Sequence, residues 1–285
     1  MLTSVRSLLA ATVLAGSVLA ATPAMAQDSE ETPDITVTGN VTLVTDYRFR
    51  GAGLSNGNIA IQGGLTLNTK PGFYVGTWAS SLGTGDRSVD LDDGVGGVDP
   101  YDVGSYGNVE VDIFAGWTGS VTDNIAVDVG ALYYYYPDAT NRTAAIGLPG
   151  PSGYPEFDGY DPYDTDVIEF YGKVKPTIGP VALTLGVAYA PDQDSLGGGD
   201  NLYLSADAGI AIPSTPISLS AHAGYTDGFL TWTSNGKAWD WSVGASATVL
   251  GGLTLGVSYV GIEHDGPAID GVTDDTIVGS IGFAF

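Results

Sequence analysis

Beyond residue 33, apolar and polar positions alternate with a period of two, in segments bounded by Gly, Pro, Asn and Asp. Each is close to the length that a tilted strand needs to cross a bilayer. Twelve such segments are read: 34–50, 57–69, 72–82, 107–117, 122–136, 165–177, 181–190, 200–212, 216–227, 237–249, 252–263 and 274–285. Val181, Leu183, Leu185, Val187 and Tyr189 share one face, and Ala182, Thr184, Gly186 and Ala188 share the other. A water-soluble sandwich would turn Lys and Glu outward. Here the polar face is mostly Gly, Ala, Ser and Thr, which predicts small side chains pointing into an interior.

The connections alternate between short (68–71, 118–121, 178–180, 213–216, 250–252) and long (51–56, 83–106, 137–164, 191–199, 228–236, 264–273). Even strand number, short periplasmic turns and longer outer loops are the pattern of outer-membrane barrels. The expectation is an all-β fold: an antiparallel transmembrane β-barrel of about twelve strands over residues 34–285, with long acidic extracellular loops. After the leader no run of 18 apolar residues occurs, which excludes a helical membrane protein. Aromatic residues fall into two belts. Tyr47, Phe49, Tyr133, Tyr135, Phe170, Tyr189, Tyr225, Trp239, Trp241 and Tyr259 are placed outward near the long loops, and Phe73, Trp117, Phe283 and Phe285 near the short turns.

Residues 1–26 read as a secretory signal peptide, with Arg6, an apolar run from Leu8, and Ala24-Met25-Ala26 as a cleavage signature; residues 27–33 form a short acidic periplasmic leader. The chain has 9 Lys and Arg against 33 Asp and Glu and a formal charge of −24, which argues against nucleic acid as a partner. It has no Cys, in keeping with passage through an oxidising compartment. The segment ending in Phe283 and Phe285 resembles the signal by which outer-membrane proteins are presented to the barrel-assembly machinery. The partners expected are that machinery, periplasmic chaperones, outer-membrane lipid and small solutes.

The stretches Val44-Thr45-Asp46-Tyr47-Arg48-Phe49-Arg50-Gly51, Ala60-Ile61-Gln62-Gly63-Gly64 and Gly72-Phe73-Tyr74-Val75-Gly76-Thr77-Trp78-Ala79-Ser80 resemble the TorF-type porin family of proteobacterial envelope proteins. Glu110-Val111-Asp112 and Tyr133-Tyr134-Tyr135-Tyr136 fit more loosely. The resemblance implies an outer-membrane barrel with a porin role and brings no catalytic residues. The loop 83–106 is longer than that family usually shows.

A barrel of eight strands is filled by side chains and one of sixteen to eighteen holds water. Twelve lies between, so what points inward decides. Gly64, Gly116, Gly130, Gly186, Gly209, Gly244, Gly256 and Gly282 are placed inward and favour a narrow pore. The charged residues placed inward, and so candidate pore-lining residues, are Asp46, Arg48, Arg50, Glu110, Asp112, Asp128, Glu169, Lys173, Lys175, Asp207 and Asp240. Seven acids against four bases suggest a weak cation preference. Charges segregated on different walls would give a transverse field; charges paired across the lumen would plug it.

Asp90-Leu91-Asp92-Asp93-Gly94 lacks the spacing of a helix-loop-helix Ca²⁺ loop, and neither metal nor cofactor is expected. Ser220 and His222 share a strand face, but in the reverse order and placed inward, unlike outer-membrane phospholipases and lipid A deacylases; His264-Asp265 with Asp274 and Asp275 faintly resembles the pairs of outer-membrane aspartyl-type proteases, but acidic loop residues are common in this chain. The reading is a non-enzymatic porin-like channel for small solutes or ions. The alternatives are a closed structural or adhesion barrel with acidic binding loops and, third, an outer-membrane lipid hydrolase.

Overall fold

The computed structural model describes residues 33–83, 106–139, 165–249 and 252–285, and the backbone alone of 88–92 and 98–102. The leader and most of the two acidic loops therefore lie outside the described residues. The barrel strands are β1 (Ile35–Val44), β2 (Ala60–Thr69), β3 (Phe73–Ser81), β4 (Val109–Thr122), β5 (Ile125–Tyr135), β6 (Val167–Ile178), β7 (Val181–Gln193), β8 (Gly199–Ala211), β9 (Ile217–Gly228), β10 (Lys237–Val249), β11 (Leu253–Ile262) and β12 (Thr276–Ala284). Each pairs antiparallel with its sequence neighbours, and β1 pairs with β12 to close the ring. All twelve predicted segments contain one strand. Among the described residues no helix is long and apolar enough to cross a membrane.

Closure is carried by the register from Asn40↔Ala284 to Val44↔Ser280. Beyond it the Gly39 N–H donates to the Phe285 carbonyl at 2.8 Å, and the Phe285 N–H donates back to Gly39 at 2.9 Å. Gly39 has no side chain because the Phe285 ring lies where one would go: a Cβ there would meet Phe285 Cζ at 2.7 Å.

Strand parity divides the wall as the alternation requires. Val37, Ile61, Leu65, Val243 and Ile277 are among many large apolar side chains exposed on the outside, Ile277 at 68%. The outer band is apolar and every barrel strand is paired, the condition a sheet must meet to sit in lipid, where unpaired backbone groups are too costly to keep. Tyr133, Tyr189 and Tyr259 lie on that face at the long-loop end and donate their hydroxyls to Asp166, Asp200 and Asp275. Each ring is thereby tethered at the water-facing edge of the band.

The largest departures from the sequence reading are at the end of the first strand and at the β4–β5 turn. The first strand stops at Val44, and Arg48–Phe49 instead pair with Ala52–Gly53 in a small hairpin. Tyr47, placed outward by the alternation, is 1% exposed inside, and Phe49 packs edge-on to Tyr134 at 5.8 Å. The β4–β5 turn falls at Asp123-Asn124, because β4 continues past residue 118 through an irregularity between Ser120 and Thr122.

The interior is lopsided. On β3 to β6 the inward residues include Tyr74, Trp78, Phe114, Leu132 and Tyr134, all buried in one cluster with Tyr47, with Tyr171 packed against it. The glycines there are sockets: a Cβ at Gly116 would strike the Tyr74 ring and the Val129 carbonyl, and one at Gly130 would meet the Tyr171 hydroxyl at 2.5 Å. On β9 to β12 the residues lining the interior include Ser218, Ser220, Ser242, Gly244, Ser246, Gly256, Ser258 and Ser280, together with His222, Asp240, Val260 and Val278. Glycine thus marks two opposite situations, an aromatic ring overhead on one side and small hydroxyls on the other.

Gly116→Ala should therefore destabilise the barrel by about 1–3 kcal/mol through overpacking. Gly256→Ala, which needs only the Ser280 hydroxyl to rotate away, should cost well under half of that; urea unfolding of the refolded protein in micelles, followed by gel mobility, measures both. A second expectation concerns the point where the bases of the β3–β4 and β5–β6 loops meet. There Asp138 accepts from the Asn108 N–H (3.0 Å), the Asn108 side chain (3.1 Å) and the Val109 N–H (3.3 Å). Those donors, the Asn108 backbone first, hold its carboxyl below the usual carboxylate range. A carboxylate lowered by folding contributes fully above its unfolded value of about 3.9 and loses that contribution as pH falls through the lower folded value. Amide exchange at Asn108 and Val109 should stay slow down to about pH 4 and quicken only below it, and Asp138→Ala should make it fast at neutral pH.

Candidate functional site

Where β1 ends, the chain turns into the barrel instead of away from it. Residues 45–59 enter at the long-loop end, and the Arg48–Gly53 hairpin is their innermost part. Arg50 and Gly51 at its tip both have positive φ, 48° and 82°, as two-residue turns of the primed type require. Gly51 is obligatory on packing grounds too, since a Cβ would lie 2.7 Å from the Gly261 carbonyl and 2.8 Å from Ile262 Cβ.

Charge fixes the hairpin. Arg48 Nε pairs with Asp46, Nη1 donates to the carbonyls of Gly51 (3.3 Å), Val272 (3.4 Å) and Asp274 (2.8 Å), and Nη2 pairs with Asp274 Oδ1 at 2.9 Å. Asp46 also receives the Ser55 hydroxyl at 2.7 Å. The 45–59 segment is thus buckled to the 263–275 loop, with the Gly53 N–H donating to Val272. Arg50 reaches the far wall, where Nη2 pairs with Glu169 on β6 at 2.5 Å. Its guanidinium lies 4.1 Å from the Tyr203 ring centre and 4.8 Å from that of Phe49.

All eleven charged residues assigned to the interior are inside, but Asp46, Arg48 and Arg50 are on the infolded segment and not on a strand. The separation of arginines from acids on opposite walls does not occur. Arg48 pairs with Asp46 and Asp274, Arg50 with Glu169, and Lys175 with Asp128 at 2.7 Å. Tyrosine hydroxyls complete the acids of the filled half. Glu110 accepts from Tyr47 (2.8 Å) and Tyr136 (3.2 Å), Glu169 from Tyr134 (3.1 Å), and Asp128 from Tyr74 (2.5 Å). The two carboxylate oxygens of Asp112 are buried without a partner.

Beneath the hairpin, along the small-residue half, lies a cavity of about 210 Å³. It runs from Ser218 and Ser246 near the short turns to Tyr203 and Asp240 under the hairpin tip. The fixed charges on its wall are Arg48, Arg50, Lys173 and Lys175 against Asp46, Asp207 and Asp240, with His222. Glu110, Asp112, Asp128 and Glu169 are not on it.

The hydrolase and protease patterns are not assembled. His222 meets Asp207 through Nδ1 (2.7 Å) and Asp240 through Nε2 (2.9 Å), so neither ring nitrogen is left to take a proton from Ser220. Asp265 accepts from the Ser234 N–H, Asp274 holds Arg48 and Asp275 holds Tyr259. Among the described residues no group of three or more His, Asp or Glu is arranged to hold a metal ion.

Several solved structures align with this chain. The NanC porin, 9% identical, aligns over 88% of this chain and 99% of its own with a TM-score of 0.51. The KdgM porin, 6% identical, aligns over 87% and 98% with a TM-score of 0.49. An outer-membrane channel from Pseudomonas putida F1, 12% identical, aligns over 90% and 97%, also at 0.49. At such identities the likeness concerns the fold. No curated protein matches the sequence. A family model described as a bacterial protein of unknown function, Gcw_chp, matches residues 28–149 and 150–285, so the chain, an antiparallel twelve-stranded barrel with an infolded hairpin, belongs to that family.

Proposed function

We propose that this chain is an outer-membrane channel for passive diffusion of small solutes, with its conduit along the serine- and glycine-lined half of the barrel. The observation that carries the reading is the lopsided interior. Aromatic rings fill the β3–β6 side, whereas the β9–β12 side keeps a hydroxyl-lined cavity beneath one hairpin. A barrel serving only as a scaffold gains nothing from leaving that half unfilled, since interiors otherwise pack densely. The signal sequence at 1–26 and the Phe283 and Phe285 segment support export and insertion in the outer membrane, with lipid meeting the apolar band and the assembly machinery meeting that segment.

Ion preference follows the cavity wall and not the whole interior. The sequence count of seven acids to four bases becomes three to four along the cavity, so the conduit itself discriminates weakly between K⁺ and Cl⁻. A cation preference in this reading comes from the acidic loops at the mouth, through their attraction for cations at low salt.

The purified protein should give discrete conductance steps in planar bilayers. Arg48→Met, which unbuckles the hairpin from Asp46 and the 263–275 loop, should raise the unit conductance. It should also lower stability by about 3–5 kcal/mol, because it leaves buried carboxylates unpaired. Absence of steps in both proteins would favour the closed structural barrel.

A further inference from the structure

Trp239 and Trp241 stand two residues apart on the outer face of β10, 54% and 37% exposed, yet their rings lean in opposite directions. Trp239 packs against Tyr225 on β9, with ring centres 5.0 Å apart. Trp241 lies over Gly261 on β11, where a Cβ would meet the indole at 2.6 Å. Beside the splayed indoles opens a groove, with Glu263, His264 and Asp275 also on its wall. Asp275 is the carboxylate that tethers Tyr259, so the groove stands at the rim of the apolar band.

Next to it the band is dented. Ala206 and Ala208 on β8 pair with Ala223 and Ala221 on β9, and by strand parity all four share the outer face with exposed Leu204 and Leu219. Leu185 and Leu183 on β7 flank the block on one side, and Trp241 and Val243 on β10 flank it on the other. Methyl groups between longer side chains leave a trough that runs in the lipid-facing surface. Trp241 borders both features, and because its ring leans toward β11 the side facing Ala223 is open. Groove and trough are therefore one continuous depression, polar at the rim and apolar below.

The groove's charge selects what enters it. Its lining has Glu263 and Asp275 and neither Lys nor Arg, so an anionic group is repelled and an ammonium is attracted. Indole faces attract the same charge. Beside a low-dielectric band the two carboxylates act on it with less screening than in open water. Both are held in place, since Glu263 accepts the Trp239 N–H at 3.2 Å and Asp275 accepts the Tyr259 hydroxyl at 2.9 Å. His264 Nδ1, buried without a hydrogen-bond partner, adds an acceptor when the ring is neutral.

We propose that this depression is a docking site for one lipid with a cationic amine headgroup, its ammonium in the groove beside Glu263 and Asp275 and an acyl chain in the alanine trough. The site needs the outer band to sit in lipid and does not depend on whether the barrel conducts.

The test is native mass spectrometry of the protein refolded in micelles and supplied with phosphatidylethanolamine and phosphatidylglycerol of the same acyl chains. Wild type should retain one phosphatidylethanolamine per barrel, in preference to phosphatidylglycerol by about threefold or more. Glu263→Gln combined with Asp275→Asn should abolish that preference. Ala221→Leu, which fills the trough, should lower retention of both lipids without changing their ratio, and Ala115→Leu, on the outer face of β4, should change neither. Gel mobility checks that each variant folds, and Glu263→Gln alone carries the comparison if the double variant does not fold. Equal retention of the two lipids by wild type, a preference that survives loss of the carboxylates, or equal effects of Ala221→Leu and Ala115→Leu would overturn the site. Displacement of the lipid by glycerophosphoethanolamine at equal concentration would overturn it in favour of a soluble amine. Lipid-free barrel dimers that Ala221→Leu dissociates would overturn it in favour of a second copy of the chain.

Discussion

Everything in this molecule depends on the closing ladder between β1 and β12. In lipid a strand edge has no water to satisfy it, so an open sheet of this composition has no stable place to be. The pairing of Asn40 to Val44 with Ser280 to Ala284, extended by the Gly39 and Phe285 main chains, removes the edge. Closure then fixes parity around the ring, because a one-residue slip at the seam would turn the apolar set inward. Once parity is fixed, the outer band, the tyrosines tethered at its rim and the contents of the lumen follow.

Within that ring the lumen is divided by side-chain size. Rings on β3 to β6 interlock over inward glycines and build a platform on which Tyr47 and Phe49 pack, Tyr47 edge-on to Trp78 at 5.6 Å. The hairpin between them is thereby drawn to one side, and its charges find partners as it enters: Asp46 and Asp274 around Arg48, Glu169 at Arg50. The serine side offers no such platform, and among the described residues it keeps a cavity of about 210 Å³. An infolded hairpin beside a hydroxyl-lined cavity is what the packing produces.

Much of this was legible in the sequence, and the failures have a single origin. Period-two alternation and alternating loop lengths are local signals, and they located all twelve strands and the inside of each. The same alternation continues through Asp46, Tyr47, Arg48, Phe49 and Arg50, so the chain reads as strand after the strand has ended. What turns it inward is Arg48 reaching Asp274 and Arg50 reaching Glu169, partners 226 and 119 residues away, and one sequence carries no sign of such pairings. The Arg50-Gly51 pair was the available clue, a turn-forming glycine preceded by a long cation. The inward glycines misled for a related reason: Gly116 and Gly256 look alike in sequence, and only the neighbouring strand shows that one seats a tyrosine ring and the other faces a serine.

The central claim, a conduit confined to one half of the lumen, is open to a direct measurement because the chain has no cysteine of its own. Single cysteines placed at Ser246 and Ser258 on the cavity wall, and at buried Thr66 on β2, which does not line the cavity, can be exposed to a charged thiol reagent during bilayer recording. Stepwise loss of current for Ser246→Cys and Ser258→Cys, with Thr66→Cys unaffected, is the result this account predicts. Equal block at Thr66→Cys, or no block at either serine position in a conducting channel, would contradict it.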